Sequence, residues 1–177
     1  MAAAVEMQPD RARVLLGGGW LTTGLGDFQH GDIRFAFDIK IAGPLHVVVD
    51  INTGAAPISH SGNADWDGGI SWLPGFGAGI AIRKPLGLVQ PFFSITGGIW
   101  STPEFDVEAS LGGVPLDEGA SKFERGSGPV TPRLFADGGI DVIPAGGQAV
   151  IRVTGGVGYG LSFQARASLL VGVRFGR

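Results

Sequence analysis

The chain has no cysteine. Disulfides, thiolate catalysis and cysteine-bound zinc are thereby excluded. Charged residues are scarce, at 16% of 177 positions, against a usual share of about 25%. Net charge is -3 at neutral pH, so no basic surface points to nucleic acid. No run approaches the roughly 18–20 apolar residues of a membrane-crossing helix, and no segment shows a 3.6-residue apolar repeat. Residues 1–6 lack the basic start and apolar stretch of a secretory signal. The expectation is therefore a cytosolic protein or a mature form whose signal has been removed. The phosphate-cradling pattern Gly-x-x-x-x-Gly-Lys is also missing.

What remains is glycine, at 32 residues, and a hydrophobic share of 44%. The hydrophobic residues alternate. In 163–177, Phe163, Ala165, Ala167, Leu169, Val171, Val173 and Phe175 are apolar, and the residues between them are mostly polar or small. A period of two makes a strand with two unlike faces. A strand buried on both faces would be apolar throughout. The same pattern predicts strands over 11–20, 33–41, 45–52, 69–83, 88–100, 130–142 and 148–159. Residues 1–10 are an N-terminal leader and 11–177 one all-β domain, an eight-stranded antiparallel up-and-down barrel. Closure removes the exposed edges that such strands would otherwise present. Pro74 and Pro91 cannot donate to a ladder, which predicts bulges.

Connections 21–32, 53–68 and 101–128 are long, and 42–44, 84–87 and 144–147 are short turns. All long loops therefore fall at one end. Trp20, Trp72, Trp100 and Tyr159 lie at strand ends beside them and suggest an aromatic girdle. Trp100 alone is off the apolar face by parity, which points to a slip or a bulge.

The opposite stripe is glycine-rich and carries charge of both signs. It holds Arg13, Arg34, Asp38, Lys40 and Asp50 in the first three strands. Arg133, Asp137, Asp141, Arg152, Arg166 and Arg174 follow in the last three. A water-facing stripe would favour lysine and glutamate. Arginine and aspartate among glycines suit the interior of an eight-stranded barrel, which is just wide enough for side chains to fill. They are expected to pair across it, because unpaired buried charge is expensive. The apolar stripe, nearly free of charge, then faces hydrocarbon.

These alternating strands, the loop asymmetry and the ending Leu169-Leu170-Val171-Gly172-Val173-Arg174-Phe175 resemble small bacterial outer-membrane β-barrel proteins, among them the OmpA transmembrane domain and the OmpX and OmpW types. The resemblance implies outer-membrane localisation in a signal-free mature form, with outer-membrane lipid around the wall. It also implies that Leu169, Val171, Val173 and Phe175 are the signal read by the outer-membrane assembly machinery. Gly176-Arg177 after the Phe departs from the family's usual ending.

Sites for chemistry are weak. Asn63, Asp65, Asp67 and Gly68 look like half a calcium loop, but Pro74 stands where the bidentate Glu is required. Asp27, His30, Asp32 and His60 are rim candidates for a cation. His60-Ser61 evokes a hydrolase pair, yet adjacent loop residues do not readily form a base–nucleophile hydrogen bond. The reading is a non-enzymatic, cofactor-free barrel with a structural, anchoring or loop-displaying role, and room for a protein partner at its long loops. Two alternatives stand beside it. Gly18-Gly19-Trp20 fits a soluble lipocalin-like carrier of an apolar ligand, and His60 would serve an outer-membrane lipid-modifying enzyme.

Overall fold

Alternating residues can satisfy both faces only if the strands enclose one environment and exclude another. In a computed structural model they do so by closing on themselves. It describes residues 10–23, 28–57, 70–101, 110–111, 114–115, 130–144, 147–160 and 163–176. The strands are β1 (Ala12–Thr23), β2 (Phe28–Ala42), β3 (Leu45–Pro57), β4 (Ile70–Arg83), β5 (Val89–Ser101), β6 (Val130–Val142), β7 (Ala149–Tyr159) and β8 (Phe163–Phe175). Each pairs antiparallel with its neighbours in the chain, and β8 closes on β1 from Ala12↔Phe175 to Thr23↔Gln164. A two-residue ribbon, Ser110–Leu111 with Val114–Pro115, stands apart from the barrel.

The tightest turn joins β2 to β3. Gly43 takes a φ of +50°, and Pro44 follows with its ring-fixed φ. That is the primed-turn pattern matched to strand twist. The one register shift in the β2–β3 ladder falls beside it, between Lys40 and Ala42.

Three expectations change. Residues 21–23 and 28–32 belong to strands, so four residues separate β1 from β2 and the first connection is short. Strand β3 likewise runs on to Pro57. Pro74 and Pro91 cause no bulge: Pro74 faces Thr53 in an unbroken β3–β4 ladder, and Pro91 faces Ile140 in an unbroken β5–β6 ladder. On the β4–β5 side each proline falls just past the last rung, Gly75↔Trp100 or Arg83↔Phe92, so its missing N–H deprives no rung there. Trp100 involves no slip, and its side chain points inward.

The wall is inverted relative to a soluble barrel. Leu16, Ile33, Ile80, Phe93, Ile140, Val153 and Leu169 present about half their area to the outside. Arg13, Arg34, Asp38, Asp50, Asp137, Asp141, Arg152 and Arg166 are buried inside. The apolar ligand pocket of a lipocalin-like carrier is thus replaced by charge.

Candidate functional site: the charged lumen

Inward parity brings the ionic residues of seven strands together in two groups. Nearer the short turns, Arg152 donates from Nε to Asp141 Oδ1 at 2.7 Å and from Nη1 to Asp38 Oδ1 at 3.3 Å. Arg83 reaches Asp38 at 2.5 Å and also pairs with Asp141. Arg13 pairs with Asp141 and Asp10 and donates to Gln90 at 2.5 Å. Three arginines meet three aspartates.

The second group lies further from those turns. Arg34 Nε lies 2.8 and 2.9 Å from the two oxygens of Asp50. Arg166 holds Asp137 with two donors at 2.7 and 2.5 Å. Arg166 also lies 3.4 Å from Asp50, and Arg34 lies 3.9 Å from Asp137, which closes a four-membered ring. Two arginines meet two aspartates here, so each group is neutral as a unit. Forked guanidinium–carboxylate contacts are the geometry that makes such burial tolerable.

Aromatic rings fill the space left by glycine. The Phe92 ring lies beneath Arg152 and Arg83, 4.6 and 5.3 Å from their guanidinium carbons. The Phe135 ring lies 3.9 Å from that of Arg166. Both distances to Arg152 and Arg166 suit cation–π attraction. A Cβ on Gly158 would come within 2.4 Å of Phe135, and one on Gly75 within 2.0 Å of Trp100. The two rings meet edge to face at 5.4 Å.

Several expected positions fall elsewhere. Trp100 is 2% exposed and belongs to this interior packing, not to an outer girdle. Trp20 and Tyr159 do face outward. Trp72 is described as backbone only. Lys40 and Arg174 are half-buried and have no carboxylate partner among the described residues. Arg174 instead donates to the Gly147 carbonyl at 3.1 and 3.2 Å. Arg133 meets Gln164 and the Ser101 carbonyl, at 3.2 and 3.5 Å.

Arg83, Asp10, Phe92 and Phe135 escaped the sequence reading. Arg83 shares parity with Gly75, Gly77 and Gly79, so its signal was present. Phe135 shares parity with Arg133 and Asp137 in the same way. Asp10 belongs to the segment read as leader. Asp27, His60, Ser61, Asn63, Asp65, Asp67 and Gly68 lie outside the described residues, as does most of 101–128. Among the described residues, no three His, Asp or Glu side chains converge as a metal site would require.

No family model matches the chain, and no curated protein does. Solved structures do. Neisserial surface protein A (NspA) aligns over 93% of this chain and 96% of its own, with 14% identity and a TM-score of 0.59. The N-terminal β-barrel domain of Pseudomonas aeruginosa OprF aligns over 95% and 100%, with 10% identity and a TM-score of 0.58. Ail of Yersinia pestis, solved with the heparin analogue sucrose octasulfate, aligns over 96% and 100%, with 12% identity and a TM-score of 0.52. At such identities the likeness concerns architecture alone. The chain has the closed eight-stranded transmembrane β-barrel fold of the small outer-membrane barrels.

Proposed function

We propose that this chain is a non-enzymatic bacterial outer-membrane protein whose barrel is a scaffold for the loops at its open end. The inverted wall carries the reading: large aliphatic and aromatic side chains outside, neutral arginine–aspartate groups inside. Hydrocarbon accepts the first arrangement and cannot supply the second. The charge groups that fill the lumen on the side of the short turns make the barrel an anchor more than a conduit, since eight strands leave little beyond side-chain space there. Connections 58–69 and 102–129 offer the chain length for a protein partner.

Outside the wall, Leu169, Val171, Val173 and Phe175 line one outward stripe of β8. This stripe supports a role as the recognition element for the outer-membrane assembly machinery.

Fluorescence quenching by brominated lipid tests the placement. In vesicles, a variant retaining only Trp20 is expected to be strongly quenched, and one retaining only Trp100 weakly. Equal quenching of the two, or a monomer that stays folded in detergent-free buffer, overturns the membrane reading.

A further inference from the structure

Two ionic side chains of the lumen are left over from its neutral groups. Asp32 and Arg133 are each 6% exposed. Neither pairs with an opposite charge among the described residues, and Asp32 Oδ1 and Arg133 Nε have no hydrogen-bond partner. Elsewhere in the lumen each buried arginine finds an aspartate.

The two stand opposite each other. Asp32 is on β2 and Arg133 on β6, with three strands between them on either side. Rungs lead from Asp32 through Gly19, Ser168 and Thr154 to Gly139 on β6. The other way they pass Gly54 and Leu73, beyond the last β4–β5 rung, toward the loop side of Val130. The stagger of a closed barrel places equal height midway between those two ends. Arg133 lies there.

The wall between them carries a second unmatched pair. Asn52 Oδ1 and Trp100 Nε1 have no hydrogen-bond partner, although the residues are 7% and 2% exposed. Both atoms lie over Gly75, where a Cβ would meet them at 2.3 and 2.4 Å. Unsatisfied buried groups of this kind are uncommon and need an explanation. Here an acceptor and an anion stand toward one wall, and a cation with Gln164 stands at the other.

We propose that this level of the lumen is a binding site for a small zwitterion, its ammonium directed to Asp32 and Asn52 and its carboxylate or sulfonate to Arg133. One molecule with both ends satisfies groups that the diameter keeps apart. An ion with one charge leaves the opposite wall uncompensated. The site lies inside the wall, so headgroups of the surrounding lipid do not reach it.

The test uses the whole barrel folded in detergent. Its readout is the Trp100 indole N–H resonance, assigned with Trp100→Phe. β-Alanine or taurine is expected to shift that resonance saturably, while propionate and propylammonium do not. Asp32→Asn and Arg133→Gln should each weaken the response at least tenfold. No saturable shift with either zwitterion, an equal shift with a one-ended ion, or undiminished binding in both variants overturns the proposal. The wild-type comparison of two-ended and one-ended ions decides the matter even if a variant fails to fold.

Discussion

Arg152 holds Asp38 and Asp141 at the same time, so one guanidinium joins β2 to β6 through β7. Removing it leaves two buried carboxylates with Arg13 and Arg83 alone. Arg152→Met is expected to destabilise the folded barrel by about 3–5 kcal/mol, the scale for breaking a buried ion pair on one side. Denaturant unfolding in lipid vesicles measures this. A loss under about 1 kcal/mol would reduce the contact to the worth of a surface ion pair.

Val153 points outward from β7, between Leu169 and Ile140 on its two neighbours. Val153→Arg is expected to cost about 2–4 kcal/mol in a bilayer, where a lipid-facing cation is opposed near the midplane. A water-facing position would tolerate the change within about 0.5 kcal/mol. Equilibrium folding into vesicles separates the two.

Gly138 and Gly139 are adjacent and face opposite ways. A Cβ on Gly138 meets nothing within 4 Å, whereas one on Gly139 lands 2.3 Å from the Val153 carbonyl oxygen and 2.9 Å from Phe92. Gly139→Ala should destabilise by about 1–3 kcal/mol through overpacking. Gly138→Ala should be neutral, or stabilise by about 0.4–1 kcal/mol through the unfolded chain. Melting of the two variants side by side checks which of the two glycines faces the packed interior.

Phe175 is 52% exposed on the outer face of β8. If it acts in assembly, Phe175→Ala lowers the amount of folded barrel recovered from bacterial outer membranes. The purified variant, refolded in detergent, loses about 1 kcal/mol, since half the ring touches no protein. Equal losses in both measurements would make Phe175 an ordinary packing residue.

The period-two pattern was legible wherever the outside of the wall demands apolar residues. Ile33, Phe35, Phe37 and Ile39 alternate without a break, and their strand was evident. The pattern fades at the loop end, and so did the boundaries. Near Gly31 and Asp32, or Thr53 and Gly54, outward residues need not be apolar. A strand beyond the hydrocarbon band resembles a loop. Parity also placed Trp100 correctly, inside. The expectation of a girdle competed with that parity, because Trp100 stands at a strand end beside a long loop, as Trp20, Trp72 and Tyr159 do. The space comes from Gly75 and Gly77 on the next strand, a cross-strand relation that no local window contains. Several arginine partners were not legible for the same reason: they come from strands far apart in sequence, as with Arg13 and Asp141, whereas Arg34–Asp50 and Arg152–Asp141 join consecutive strands.

Apart from Arg34–Asp50 and Arg152–Asp141, which consecutive strands make, the charge contacts between strands join ones that meet only when the cylinder is shut. Arg13 is on β1, Asp38 on β2, Arg83 on β4, Asp141 on β6 and Arg152 on β7. A lone hairpin from this chain therefore carries ions short of their full set of partners on one side, and oil disfavours it. Partial insertion is penalised at every stage before the last ladder forms. The neutralising contacts are thus complete only in the finished cylinder, the form that a bilayer accepts at least cost.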